Sequence, residues 1–214
     1  YNAQKNGIAN TGGGGGGSLN GGAGGAGGSG IVIIRTTVGP GAPLPLASPS
    51  YGFAAAGGSE FEPGDGYKYH VFTTPGEFEV NKTGLVVDYV VIAGGGQPGP
   101  AYNPGFGGGG GGGAGGFRSF TSQTLNAPQT VVARARGSGN PAGRDGQPSS
   151  FGSVSATGGG YGGYGENSDS TRSGGTGGSG GGARGPKDGG TYPGSLGNAG
   201  GYSPPEGGRG GAGT

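Results

Sequence analysis

The stretch "GFGGGGGGGAGGFRSF" at residues 105–120 contains seven consecutive glycines, Gly107 to Gly113, followed by Ala114 and two more glycines. Glycine loses more conformational freedom on folding than any other residue, and inside a regular element it costs about 0.5–1 kcal/mol relative to alanine. The stretch is therefore either disordered or part of a structure in which the absence of side chains brings a compensating gain.

The composition of the whole chain raises the same question. It contains 67 glycines among 214 residues, with 16 prolines and no Cys, Met or Trp. Large apolar residues are too scarce to cover helices or a broad sheet, and a low-complexity composition of this kind is typical of disorder. The charged fraction is only 11%, however, whereas disordered chains are commonly rich in charge. We expect an ordered fold in which glycine itself supplies the packing.

Several function classes find no support in the sequence. The net charge of +1 does not favour a nucleic acid or an anionic membrane as partner, and no apolar run is long enough to span a bilayer. The absence of cysteine excludes disulfides and thiolate metal sites. His70 has no Ser, Cys or carboxylate at a catalytic spacing, so we predict no catalytic residue, no metal site, no cofactor and no enzymatic activity. Asn81-Lys82-Thr83 has the form of an N-glycosylation sequon.

The spacing of the glycines suggests how they can be ordered. "GGAGGAGGSG" (21–30) and "GGTGGSGGG" (174–182) repeat Gly-Gly-X, but the period is broken between tracts, unlike that of collagen. A period of three also matches the extended polyproline II helix, whose N–H and C=O groups point sideways. Without side chains, neighbouring helices can approach and form lateral hydrogen bonds, each contributing about 0.5–1.5 kcal/mol. We therefore predict a packed array of polyglycine II helices with Pro-, Asn- and Ser-rich loops at its ends.

Four other stretches have the composition of β-strands. "GIVIIRTT" (30–37) is β-branched, "LVVDYVVIAGGG" (85–96) is an apolar strand that runs into glycines, and "LNAPQTVVARARG" (125–137) alternates at its end. "YKYHVFTTPGEFEV" (67–80) alternates around a Thr-Pro-Gly turn and predicts a hairpin. The predicted fold is mostly irregular and all-β, with a small antiparallel sheet anchoring the polyglycine II array and almost no α-helix.

These pieces resemble the glycine-rich modules of bacteriophage tail fibres and tail-fibre adhesins. Residues 67–80 look like the opening hairpin of such a module, and "VVDYVVIAGGG" (86–96) with "GGGGGGGAGGF" (107–117) look like its strand and first glycine tract. "QPSSFGSVSATGGG" (147–160) looks like the internal segment before the next tract. Residues 10–35 look like the closing tract and last strand, yet they come first here, so the order is circularly permuted or that of a tandem repeat.

The permuted order sets the expected domain organisation. Residues 1–36 would be the closing tract and strand of a module, 37–65 a Pro/Ala/Gly-rich linker, and 66–214 a module with a hairpin and a polyglycine II array. Modules would then follow one another in tandem, or a strand of one chain would complete its neighbour by donor-strand complementation. The residues that would pair between modules in the second case are Ile31, Val32, Ile33, Ile34, Val86, Val87, Val90 and Val91.

The resemblance implies a function as well as a fold. It implies a non-enzymatic structural fibre protein of a phage tail or similar virion appendage, located extracellularly or on the virion surface, that binds copies of itself. Loops at the ends of the glycine helices would recognise a host-surface protein or glycan. Because tyrosine is a favoured binding residue in loops, the candidates for recognition are Tyr102, Tyr161, Tyr164, Tyr192 and Tyr202.

Other interpretations remain open at this point. The tyrosine rings could cap the glycine array or fill gaps between its helices instead of binding a partner. The chain could be the repeat unit of a cellular extracellular filament, or an ice-binding polyglycine II protein. The irregular loops and the lack of cysteine argue against the ice-binding interpretation, which a thermal-hysteresis assay would test.

Overall fold

The computed structural model describes residues 5–18, 23–38, 54–100, 108–137, 144–164, 172–185 and 190–213. These residues form ten β-strands and no helical element, as the sequence predicted. In chain order the strands are β1 (Ile31–Thr37), β2 (Ala55–Ala56), β3 (Ser59–Phe61), β4 (Tyr67–Phe72), β5 (Gly76–Val80), β6 (Leu85–Ile92), β7 (Phe117–Leu125), β8 (Gln129–Val132), β9 (Ser149–Phe151) and β10 (Val154–Ala156).

The strands form two antiparallel sheets of five strands each. The first sheet has the order β3-β4-β1-β6-β7, and the second has the order β10-β9-β8-β5-β2. Alternating residues of the strands are buried, and their rings meet between the sheets: Phe78 of the second sheet contacts His70 of the first, and Tyr89 of the first contacts Phe151 of the second. The core is therefore a β-sandwich, as expected for two sheets that each bury one face.

The glycine tracts leave this sandwich at one end and pack beside one another. The tract 108–116 shows the arrangement most clearly, because its bonds to each neighbouring tract recur at every third residue. Gly110, Gly113 and Gly116 donate backbone hydrogen bonds to the tract 157–163, while Gly112 and Gly115 donate to the tract 12–15. The carbonyls of Gly110, Gly113 and Gly116 accept hydrogen bonds from the tract 93–99. The carbonyls of residues 108, 111 and 114 accept hydrogen bonds from the tract 179–185.

A threefold repeat of lateral bonds is the pattern expected for packed polyglycine II helices, which have three residues per turn. Bonds link tracts that lie far apart in the sequence, as when Gly112 donates to Gly15 at 2.9 Å. A Cβ added to Gly112 would overlap the carbonyl of Gly96, and one added to Gly113 would overlap that of Ser179. The backbones therefore touch directly, and any side chain at these positions would separate them.

The structure corrects the predicted hairpin at residues 67–80. The two predicted strands exist as β4 and β5, but β4 pairs with β1 and β3 whereas β5 pairs with β2 and β8. The Thr-Pro-Gly turn carries the chain from one sheet to the other, so the alternation was correct and the inferred partner was wrong. One small sheet was expected, and two are present.

The predicted linker at 37–65 is also only partly a connection. Thr37 belongs to β1, and β2 and β3 lie within the stretch and add to the second and first sheets. Residues 39–53 lie outside the described residues. The part of the predicted linker that contains β2 and β3 therefore belongs to the sandwich.

The eight residues assigned to pairing between modules pair inside a single chain. Ile31 lies opposite Ile92, Val32 opposite Val91 and Ile33 opposite Val90 in the antiparallel β1–β6 ladder. The other edge of β1 is occupied by β4. Both edges of β1 are used within the chain, so this structure leaves no edge of β1 free for a neighbouring module, and donor-strand pairing stays a prediction.

Candidate recognition surface at the distal end of the glycine array

The array has two distinct ends, one at the sandwich and one away from it. A run of backbone bonds marks the second end: Gly99 donates to Gly110 at 2.9 Å, Gly110 to Gly163 at 2.9 Å, and Gly163 to Gly182 at 2.8 Å. Further out, Gly185 donates to Gly108 at 3.0 Å. We call the region at and beyond these bonds the distal end, and the region beside the strands the sheet end.

Several described tracts reach the distal end. Gly99, Gly108, Gly163 and Gly185 all take part in the bonds of this end, and each lies within two residues of a segment outside the described residues. The strands hold the opposite ends of several of these tracts. The described topology therefore places the ends of several glycine tracts on one side of a closely packed scaffold.

Two of the predicted recognition residues lie together at the distal end. The rings of Tyr161 and Tyr164 meet edge to face with 5.8 Å between centroids, and both side chains are half-buried. The guanidinium of Arg144 lies 4.2 Å from the centroid of the Tyr164 ring. Asp145 accepts a 2.8 Å hydrogen bond from the Tyr161 amide. We call these four residues the Arg144–Tyr164 cluster.

Burial shifts the ionisation of two groups in this cluster. It raises the pKa of the Asp145 carboxyl, because a charged form loses hydration there, and the hydrogen bond from the Tyr161 amide only partly opposes this. It also raises the pKa of the Tyr161 hydroxyl, which stays protonated at neutral pH and can donate a hydrogen bond.

A second arginine–tyrosine pair lies at the same end. Arg172 donates a 2.9 Å hydrogen bond from its guanidinium to the hydroxyl of Tyr192 and lies 5.0 Å from the ring centroid. Tyr192 is held in the array by two backbone hydrogen bonds with Gly213. Of the five predicted recognition residues, Tyr161, Tyr164 and Tyr192 are thus brought to one end, while Tyr102 lies outside the described residues.

Tyr202 is placed elsewhere, at the sheet end. Its ring lies 3.8 Å from the guanidinium carbon of Arg118, which follows the first residue of β7 and donates to the carbonyl of Ser155. The backbone carbonyl of Tyr202 accepts a 3.0 Å hydrogen bond from the side-chain amide of Asn198, and the backbone amide of Tyr202 donates a 3.1 Å bond to the Asn198 side-chain oxygen. The ring therefore joins the array to the sandwich, which separates Tyr202 from the distal tyrosines.

A shallow cavity of about 240 Å³ opens beside the Arg144–Tyr164 cluster. Pro98, Pro100 and Gln97 line one side, and Arg144 together with Ala23, Gly24 and Ala26 lines the rest. The Gln97 amide donates a 2.7 Å hydrogen bond to the carbonyl of Gly137. Proline rings and a guanidinium provide apolar surface and a positive charge side by side.

The part of the chain that the structure describes contains no group of three or more His, Asp or Glu side chains that could hold a metal ion. None of its elements is a helix long and apolar enough to cross a membrane. His70 is fully buried between the sheets, where Nδ1 lies 3.0 Å from the carbonyl of Gly57. Asn81, the first residue of the sequon, is exposed directly after β5.

Sequence reasoning missed the arginines. Arg144 and Arg172 lie in stretches that read as polar loops, and Arg118 follows a glycine tract. Their tyrosine partners are distant in sequence, so no local pattern indicates the contacts.

Comparison with known families gives one result. A family model described as a glycine-rich domain matches residues 73–214. No curated protein and no solved structure matches the chain. The match covers β5 to β10 and all of the glycine tracts that follow β6.

Proposed function

The chain belongs to the glycine-rich domain family, and from this premise we propose that it is a non-enzymatic structural module of a fibre that recognises a host surface through its distal end. The fibre is that of a phage tail or a similar virion appendage. The module associates with copies of itself and lies on the virion surface or outside the cell.

One observation supports recognition by the distal end: the described ends of several glycine tracts gather there, on a scaffold whose backbones are held together by lateral hydrogen bonds. Binding residues are commonly placed on loops that a rigid scaffold positions. A side-chain-free array allows many tracts to lie within a small cross-section, so many connections can emerge close together.

The distal side chains suit a polar surface such as a glycan or the polar loops of a host-surface protein. Tyrosine provides a large contact area with little loss of rotamer entropy and a polar tip. The arginine beside each ring holds its orientation and adds donors, as with Arg144 at Tyr164 and Arg172 at Tyr192. The half-buried rings agree equally with a capping role, and mutation separates the two roles.

The fibre half is tested by electron microscopy of the purified chain at several concentrations. Filaments with an axial repeat of one module support it. Discrete particles at every concentration contradict it and leave a tip adhesin as the function.

The recognition half is tested by cell binding. We expect the fluorescently labelled chain to bind one group of bacterial cells in a panel, and Tyr192→Ala to reduce that binding at least about tenfold, a loss of 1.4 kcal/mol. Tyr202→Ala is the matched control, because it removes the same ring from the opposite end and from a similar arginine contact. Equal losses for both variants, or no binding to any cell, contradict the proposal.

A further inference from the structure

The first sheet leaves one face uncovered by the second sheet. Alternation along β1, β4 and β6 directs one set of residues into the core and the other set outward. We call the outward set the outer face. Across the strands, Ile33 lies opposite Val71 and Val90, and Arg35 lies opposite Tyr69 and Asp88.

The outer face is unusually apolar for an exposed surface. Phe61 of β3, Val86 of β6 and Phe117 of β7 belong to it and remain 51%, 51% and 52% exposed. Phe61 stacks on Tyr69 with 5.0 Å between ring centroids. An antiparallel sheet that faces water normally carries polar residues on that side, so contiguous aromatic and β-branched residues here indicate a surface that is covered by a partner.

The outward residues of the strands carry two charges, and these neutralise one another. Arg35 and Asp88 form an ion pair of 2.9 Å near the middle of the face. They flank a groove of about 260 Å³ whose apolar walls include Ile33, Val90 and Phe120. Aromatic residues and an arginine with a paired charge around an apolar groove are typical of a protein–protein interface, where aromatic residues and Arg are enriched.

The two charged groups of the strands and the Tyr69 hydroxyl are already engaged, which argues against a sugar as the occupant. The Tyr69 hydroxyl donates to Asp65 at 2.7 Å. The two oxygens of Asp88 accept from Arg35 at 2.9 Å and from the Ser122 amide at 2.7 Å. A sugar would have to replace these bonds in order to use the charged groups, whereas an apolar protein surface does not need them.

From these observations we propose that two copies of this chain pair through their outer faces. An apolar face whose strand charges, Arg35 and Asp88, already neutralise each other is complementary to itself after a two-fold rotation, because neither copy brings an unpaired charge to the contact. Exposed rings such as Phe61 of one copy would enter the central groove of the other.

The size of the face suits such a pair. Five strands about 4.8 Å apart and about 20 Å long give a face of roughly 500 Å², or roughly 1,000 Å² for two copies. This reaches the lower limit for a specific interface, which is about 1,000–1,200 Å². We therefore expect a pair that dissociates at low concentration.

The inference goes beyond the proposed fibre function, because a pair formed through one shared face is closed and does not propagate. It is tested by the mass of the particle in solution, whereas the fibre is tested by its shape in the microscope. Filaments that form without pairs would contradict the pair alone, and pairs that form without filaments would contradict the fibre alone.

The experiment is sedimentation equilibrium of the full chain from about 1 to 500 µM. We expect the wild-type chain, with its 20.0 kDa protomer, to approach twice that mass as the concentration rises. Phe61→Lys and Val86→Lys should each weaken the pair at least about tenfold, a change of 1.4 kcal/mol. Leu196→Lys is the matched control, because Leu196 is 60% exposed but lies in the glycine array.

Circular dichroism of each variant checks that the sandwich is folded. If Phe61→Lys disturbs β3, Val86→Lys still tests the face, because its side chain extends from the exposed side of β6. A wild-type chain that stays at the protomer mass over the whole range overturns the proposal. A pair that both face variants leave unchanged, or that Leu196→Lys weakens equally, overturns it too.

Discussion

The amide nitrogen of Gly113 lies 2.7 Å from the carbonyl oxygen of Gly160, and its own carbonyl accepts a 2.9 Å bond from the Gly96 amide. One glycine thereby joins three tracts that are separate in the sequence. A Cβ added to Gly113 would overlap the carbonyl of Ser179 in a fourth tract. Glycine is required here because no space remains for a side chain.

The first prediction is that Gly113→Ala strongly destabilises the protein. The added methyl must push apart backbones that are held by hydrogen bonds, and overpacking of this kind costs about 1–3 kcal/mol or more. Gly208→Ala is the matched control, since a Cβ at Gly208 meets nothing within 4 Å. We expect that control to change the free energy of unfolding by less than about 0.5 kcal/mol. Urea unfolding of both variants measures the difference, and equal effects would contradict a backbone-packed array.

The second prediction concerns Glu206, a carboxylate that is only 3% exposed. Its two oxygens accept hydrogen bonds from the amides of Thr157 at 2.8 Å and Gly200 at 3.2 Å, and its backbone carbonyl accepts from Phe117. Glu206→Ala leaves two amides without these acceptors, and each unsatisfied buried group costs about 1–3 kcal/mol.

Chemical unfolding tests this prediction with two further variants. Glu206→Gln keeps one carbonyl oxygen and should lose less stability than Glu206→Ala. Glu79→Ala removes an exposed carboxylate of β5 and should have little effect. If Glu206→Ala unfolds at the same urea concentration as Glu79→Ala, the carboxylate does not hold the sandwich and the array together.

The sequence predicted the elements better than their partners. The Gly-Gly-X period predicted lateral packing because side-chain-free positions are a local property of the chain. β1 and β6 were identified because each is rich in β-branched residues. The turn at 73–75 was also recognised, but a turn does not determine whether the next strand stays in the same sheet. That choice depends on core contacts such as Phe78 with Phe151, which are distant in sequence.

The candidate surface was predictable only in part. Tyrosines in glycine loops can be read from the sequence, but Tyr202 and Tyr192 have similar surroundings there and lie at opposite ends of the array. Their separation follows from the direction of the tract that carries each residue. That direction is fixed by lateral bonds, such as that of Ser195 to Gly181, and these have no signature in composition.

The third prediction is a dependence of stability on pH that comes from one residue. His70 is the single histidine of the chain and is fully buried. Within the described part of the chain its Nε2 has no hydrogen-bond partner. Burial lowers the pKa of His70 below its usual value of 6.5, although the Gly57 carbonyl and the carboxylate of Glu60 oppose this shift and the nearby Lys68 adds to it.

The folded state therefore favours the neutral ring, and protonation favours the unfolded chain. Stability should be constant above about pH 6.5 and should fall below it, by at most about 1.4 kcal/mol per pH unit for one proton. Thermal unfolding between pH 8 and pH 5 measures this slope. His70→Phe, which keeps a ring against Phe78, should flatten the profile between pH 6.5 and 5.5. An unchanged slope in that variant would contradict the assignment.

The fourth prediction separates stability from recognition at Tyr202. Its ring covers the guanidinium of Arg118 at 3.8 Å beside β7, and a cation–π contact of this kind contributes about 0.5–2 kcal/mol. Tyr202→Ala should lower the free energy of unfolding by about that amount and leave cell binding unchanged, whereas Tyr202→Phe, which keeps the ring, should change neither. Urea unfolding and the cell-binding assay on the same samples measure both effects. A loss of binding in folded Tyr202→Ala would place recognition at the sheet end as well and contradict a surface confined to the distal end.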